Sequence, residues 1–131
     1  MSFPDGEFII RNRASQLVLD DANMSTKPGN SIIVYDYRQD ADNQRWFFED
    51  GHLYNVHSNL LLTFNNLTPE STPTQEVDNG SDGQRFEYND GTISLANRSD
   101  LVVGAWDADV KIVTPDIFDP ARRWDFSNVS L

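Results

Sequence analysis

Gln44-Arg45-Trp46, Gln84-Arg85-Phe86 and Arg122-Arg123-Trp124 decide the fold, because the same three-residue signature returns with its aromatics 40 and 38 residues apart. Each triplet closes a block in which two other signals appear in a constant order. A Ser-x-Leu-x-(apolar) element precedes it, as Ser15-Gln16-Leu17-Val18-Leu19, Ser58-Asn59-Leu60-Leu61-Leu62 and Ser99-Asp100-Leu101-Val102-Val103. Upstream of each serine lies an Asp-Gly pair, at Asp5-Gly6, Asp50-Gly51 and Asp90-Gly91, a dipeptide suited to the positive φ of tight hairpin turns. Three units of about 40 residues, 5–49, 50–89 and 90–131, therefore fill a single domain spanning 1–131.

Within each unit the apolar residues form short alternating runs broken by Gly, Pro, Asn and Asp, with no 3.6-residue stripe, which predicts an all-β chain. Six prolines further limit any long helix. Four strands per unit suit a propeller blade or a β-trefoil repeat, but propellers close with four to eight blades. Three copies predict a β-trefoil, in which no unit can bury its apolar face without the other two. Trp46, Phe86 and Trp124, being threefold equivalent, are expected in the shared core.

Composition narrows function. The 131 residues carry 21 acidic and 10 basic side chains, a net charge of −11, and no cysteine. Disulfides, thiolate nucleophiles and Cys-ligated metals are excluded. The acid excess argues against nucleic acid, which needs clustered Lys and Arg, and against anionic membrane surfaces. No apolar run is long enough to span a bilayer, and no membrane insertion is expected. The opening residues show neither a basic region nor an apolar one of signal-peptide length, so the expected location is the cytoplasm, or outside by a route without a signal peptide. Sequons at Asn23, Asn66, Asn79, Asn97 and Asn128 are then incidental.

No motif of a hydrolase elbow, phosphate loop or zinc protease is present, and the chain is read as not an enzyme. Asp36, Asp40 and Asp42, or Asp107 and Asp109, lack the loop pattern of a calcium site and are read as solvated acidic loops. His52 and His57 lack zinc-site company and are read as structural or surface residues. No cofactor or metal is expected.

The ordered features of the first unit, Leu19-Asp20, Gly29-Asn30-Ser31-Ile32-Ile33-Val34-Tyr35 and Asp42-Asn43-Gln44-Arg45-Trp46, resemble those of the ricin B chain-like (R-type) lectins, whose repeats end in Gln-x-Trp. Among these the chain is most similar to cysteine-free, single-domain fungal members. The resemblance implies a shallow sugar pocket for terminal galactose or N-acetylgalactosamine, formed by Asp20, Tyr35 and Asn43 with Gln44 in support. The chemistry is consistent: a tyrosine ring covers the apolar face of a galactose-type ring, a carboxylate accepts charge-assisted bonds from its hydroxyls, and an amide both donates and accepts.

Matched by position, Asp20 becomes Thr63 and Gly104, Asn43 becomes Gly83 and Ala121, and Tyr35, counted back from the closing aromatic, becomes Gln75 and Val113. One site of this kind is expected, and agglutination of cells would require a homodimer. Trp106, and more weakly Phe64, lie outside the threefold pattern and are either exposed contacts, for a second sugar or another subunit, or packed under loops. The alternative function is a β-trefoil protease inhibitor acting through the loops 66–73 or 107–115, which would not need Asp20, Tyr35 and Asn43 together.

Overall fold

The computed structural model describes residues 2–129. Its strands are β1 (Glu7–Asn12), β2 (Val18–Asp21), β3 (Ile32–Tyr35), β4 (Trp46–Glu49), β5 (His52–Asn55), β6 (Leu61–Thr63), β7 (Thr74–Glu76), β8 (Phe86–Asn89), β9 (Thr92–Leu95), β10 (Arg98–Trp106), β11 (Asp109–Val113) and β12 (Trp124–Asn128). Single 3-10 turns at Asp42–Gln44, Asp82–Gln84 and Pro120–Arg122 precede β4, β8 and β12. Together they form a β-trefoil.

The barrel is built from β1, β4, β5, β8, β9 and β12, and the hairpins β2–β3, β6–β7 and β10–β11 make the cap. The repeated Asp-Gly pairs show how. Asp50 and Gly51 have φ of 52° and 86°, Asp90 and Gly91 of 48° and 90°, the left-handed pair that a two-residue turn between β4 and β5, and between β8 and β9, requires. Asp5-Gly6 makes no such turn. The third barrel hairpin is β12 with β1, joined by pairing from Phe8↔Asn128 to Asn12↔Trp124 and open where the described chain starts and stops. The barrel closes through Phe8↔Trp46 and through the Phe86 and Trp124 amides, which donate to the carbonyls of Gly51 and Gly91 at 3.0 and 2.8 Å.

Trp46, Phe86 and Trp124 are buried at the barrel centre with Phe8, Ile10, Leu53, Ile93 and Leu95. Each such ring removes a large apolar area from water, and a buried indole must also place its N–H. Trp46 Nε1 donates to the Leu19 carbonyl at 3.1 Å and Trp124 Nε1 to that of Val103 at 2.8 Å, so both indoles tie the barrel to the cap. Phe86 has no such donor and instead meets Phe64 edge to face. Two buried asparagines pin the loops: Asn12 donates to the Ala121 carbonyl and Asn55 to the Asn43 carbonyl, while their oxygens accept amides of the loops that follow.

The middle residue of each triplet is arginine, and in two units it caps a turn. Arg85 reaches the Asp50 carbonyl at 3.4 Å, and Arg123 reaches that of Asp90. Arg45 has no turn to cap and pairs with Asp40 at 3.4 Å.

Candidate functional site

Asp20 is at the edge of the cap, on β2, opposite Ile33 of β3. Tyr35 ends β3, and the chain then loops through Arg38 into the Asp42–Gln44 turn, which returns beneath Asp20. The hydrogen bonds that hold this loop are specific. Gln44 Nε2 donates to Asp20 Oδ2 at 2.9 Å and to the Asp36 carbonyl at 2.8 Å, while its Oε1 accepts the Arg38 amide at 2.8 Å. Asn43 Nδ2 donates to Asp20 Oδ1 at 3.2 Å and to the Asp21 carbonyl at 3.0 Å, and its Oδ1 accepts the Arg38 guanidinium at 3.2 Å.

These residues border an open hollow of about 420 Å³ lined by Asp20, Asn23, Met24, Ile33, Tyr35 and Arg38. Tyr35 is 52% exposed; Asp20 is only 3% exposed yet lies at its wall. Asn43, at 1%, and the buried Gln44 lie behind Asp20, with their polar atoms engaged by the chain. The four residues singled out in the sequence are thus gathered in one place, in two layers: Asp20 and Tyr35 at the hollow, Asn43 and Gln44 orienting Asp20 from behind. Arg38, Asn23 and Met24 were not found by sequence reasoning. They lie in connecting segments outside the repeated signals, and no spacing rule marks them.

Burial raises the Asp20 carboxyl above the usual carboxylate range, opposed by the bond from Gln44, the charge of Arg38 and the bond from Asn43. The result is a desolvated acceptor at the wall of a partly apolar hollow.

Its neighbour Asp21 is fully buried, accepts Asn30 Nδ2 at 2.8 Å on one oxygen and has no hydrogen-bond partner on the other. Burial pushes its carboxyl up to about 6 against the bond from Asn30 and the charge of His57, with Asp20 adding to the rise. The folded state therefore holds a proton that the unfolded chain has released above its ordinary value near 4, and stability falls as pH rises between about 4 and 6. The full window corresponds to on the order of 3 kcal/mol at about 1.4 kcal/mol per pH unit. Asp21→Asn is expected to flatten this slope, stabilising the chain at pH 7.5 relative to wild type far more than at pH 4.5. Urea unfolding at the two pH values checks it; an unchanged slope would refute the assignment.

The other two units build different surfaces at the same place. Gln84 makes the bonds of Gln44, donating to Thr63 Oγ1 at 3.1 Å and to the Val77 carbonyl at 2.8 Å and accepting the Asn79 amide at 2.9 Å. Thr63 thus stands where Asp20 does, Val77 where Asp36 does and Asn79 where Arg38 does. Strand pairing agrees: Val18↔Tyr35 corresponds to Leu61↔Glu76 and Val102↔Val113. The counterpart of Tyr35 in the second unit is therefore Glu76, not Gln75, because the connection to the closing aromatic is one residue shorter there. Gln75 is buried and donates to the carbonyls of Ser25 and Lys27.

Phe64 is core, 1% exposed, and not an exposed contact. Its amide donates to the Gly83 carbonyl at 2.9 Å, and the chain lies so close that a Cβ on Gly83 would stand 1.9 Å from the Phe64 carbonyl oxygen. In the third unit a Cβ on Gly104 would stand 2.7 Å from the tip of the Trp106 ring. Trp106 is half-buried there, with the Arg122 guanidinium 5.4 Å from its ring centre. One unit is closed by backbone and the other by indole.

His52 is buried and its Nδ1 donates to the Gln84 carbonyl at 2.7 Å, in line with a structural role, while Asp36, Asp40 and Asp42 face solvent. Among the described residues no helix is long and apolar enough to cross a membrane.

Comparison with known proteins adds to this geometry. The mdaA-1 domain, solved in solution, is 26% identical with a TM-score of 0.88, over 96% of this chain and 91% of that one. The designed threefold-symmetric protein ThreeFoil is 24% identical with a TM-score of 0.82, over 95% of this chain and 100% of the design. The C-half of the earthworm R-type lectin, solved with GalNAc, is 20% identical with a TM-score of 0.77, over 94% and 98%. No curated protein sequence matches the chain. The sequence profile of the ricin-type β-trefoil lectin domain, however, matches residues 6–124, nearly the whole length, and the chain therefore belongs to that family.

Proposed function

We propose that this chain is a non-catalytic lectin that binds terminal galactose or N-acetylgalactosamine on glycoproteins or glycolipids through one site in its first unit, formed by Asp20, Tyr35, Asn43 and Gln44. The observation that carries the reading is the Asp20 carboxylate, buried and held by two amides, beside the exposed ring of Tyr35 at an open hollow. The ring covers the apolar face of a galactose-type sugar while Asp20 accepts two adjacent hydroxyls. Asn43 and Gln44 fix the carboxylate so that little freedom is lost on binding. Arg38 adds guanidinium donors at the rim.

The GalNAc complex of the earthworm lectin half supports the sugar class. The absence of cysteine suits the cysteine-free fungal members of the family. One site of this size binds a monosaccharide with a dissociation constant on the order of 1 mM, or about 4 kcal/mol, so agglutination would need a homodimer and capture of cells a dense glycan surface. Retention on immobilised galactose, with elution by free galactose or N-acetylgalactosamine and not by mannose, is the expected result. Passage through the column unretarded, with inhibition of a protease instead, would replace this reading with the inhibitor one.

A further inference from the structure

Beside the galactose hollow, the same loop walls a second depression. Tyr35 and Arg38 face the first; Tyr37, Gln39 and Asp40 line a groove of about 370 Å³ whose other side is the open hairpin of β1 and β12, with Arg11 and Asn128. Tyr37 is 47% exposed, and the Arg11 guanidinium sits 5.5 Å from its ring centre.

The other two units carry different residues at the places of this groove. Through the bonds of Gln44, Gln84 and Arg122, which donate to the carbonyls of Asp36, Val77 and Thr114, the counterparts of Tyr37 are Asp78 and Pro115. Through strand pairing, the counterparts of Arg11 are Tyr54 and Ser94. In the second unit Tyr54 stacks flat on Phe47 and Asp78 approaches His52. In the third, a hollow of about 520 Å³ is lined by Glu87, Asp90 and Asp116 with Arg122 and Arg123 but by no tyrosine, and Arg123 is held by the turn. Among the described residues only the first unit pairs an exposed tyrosine with guanidinium groups in this way, and it does so beside Asp20 and Tyr35.

We propose that this groove is a second sugar subsite, which takes the pyranose that follows the terminal galactose of a linear glycan. The inference rests on the reading of the neighbouring hollow as the galactose site. Two residues of chain set the Tyr35 and Tyr37 Cα atoms at most about 7 Å apart, a span of the order of one pyranose unit. Tyr37 offers an amphipathic platform of the kind Tyr35 offers, and Arg11, Gln39 and Asn128 bring donors and an amide acceptor to the ring hydroxyls. The ligand class is thereby a galactose-terminated oligosaccharide rather than a monosaccharide.

Titration calorimetry with methyl β-galactoside and with lacto-N-neotetraose, a linear tetrasaccharide ending in β-galactose, tests it. Wild type is expected to bind the tetrasaccharide about ten-fold more tightly. Tyr37→Ala is expected to bind methyl galactoside as wild type does and to lose the gain, whereas Tyr37→Phe, which keeps the ring, retains most of it. Equal affinity of wild type for both probes, or a gain that survives in Tyr37→Ala, would overturn the subsite while leaving the galactose site standing. Binding of neither probe by wild type would overturn both.

Discussion

Asp20→Ala is expected to lose all retention on immobilised galactose while unfolding within about 1 kcal/mol of wild type, the range of one ordinary hydrogen bond. The two outcomes part because Asp20 serves the hollow more than the fold. Its carboxylate is desolvated, and that cost disappears with the side chain. The amides that bind it keep other acceptors, Asn43 Nδ2 the Asp21 carbonyl and Gln44 Nε2 the Asp36 carbonyl. Glycan affinity has no such reserve, since the lost acceptor is the charged one. Asp20→Asn separates charge from shape. One of its amide atoms would meet the donors of Asn43 or Gln44 as another donor, so this isosteric change is expected to abolish retention too. Because burial raises the Asp20 carboxyl, retention should also weaken in acid from above the ordinary carboxylate range. Glycan-array signal and thermal unfolding of the same samples provide both readouts; retention by Asp20→Ala equal to wild type would remove Asp20 from the site.

Gly83→Ala is expected to destabilise the fold by about 3 kcal/mol, the upper part of the range for overpacking, and to lower the unfolding midpoint by roughly 10 °C. The added Cβ would stand 1.9 Å from the Phe64 carbonyl oxygen and 2.9 Å from its carbon, both backbone atoms. No rotamer relieves that contact, and the Phe64 amide bond to Gly83 holds the two segments together. Gly104→Ala is the control. Its two nearest atoms belong to the Trp106 ring, which can turn outward, and the one backbone contact, the Ala121 carbonyl oxygen, is 3.1 Å away rather than 1.9 Å, so a smaller loss is expected, with Trp106 fluorescence shifting towards that of an exposed indole. If Gly83→Ala unfolds at the wild-type temperature, the close approach is not what shuts this unit. The same contact predicts that Thr63→Asp with Gly83→Asn cannot recreate a first-unit pocket in the second unit.

The barrel and its core were legible because threefold repetition turns weak local signals into strong ones: the triplets located Trp46, Phe86 and Trp124, which are buried at equivalent depths. Repetition also brought Asp20, Asn43 and Gln44 to one place, since a β2 position and a pre-barrel turn are neighbours in every unit. Where the units differ, counting failed. The one-residue-shorter connection in the second unit moved the Tyr35 counterpart from Gln75 to Glu76. Phe64 is buried because Gly83 lacks a side chain, a pairing across 19 residues that no periodicity reveals. Arg38 reaches the hollow because Gln44 holds its amide, a bond between two loop residues. Asp5-Gly6 repeats the turn dipeptide where no turn is made, since β12 and β1 are joined by pairing alone.

That open hairpin has a topological meaning. Along the barrel the strands form a circle, and the chain has been cut into it at one of three equivalent corners. Glu7 accepts the Val129 amide at 3.0 Å, so a short turn joining these ends and a new opening at Asp50-Gly51 or Asp90-Gly91 would leave every strand pairing intact. The actual cut falls beside the Tyr37 groove, whose rim includes Asn128 and Val129. Whatever is attached after Val129, a tag, a second trefoil or another domain, leaves from beside that groove, whereas Ser2 and Phe3 at the other end of the described chain lie with Phe48, Phe86 and Tyr88. Attachment at the C-terminal end, rather than the N-terminal one, is therefore a handle on access to the proposed subsite.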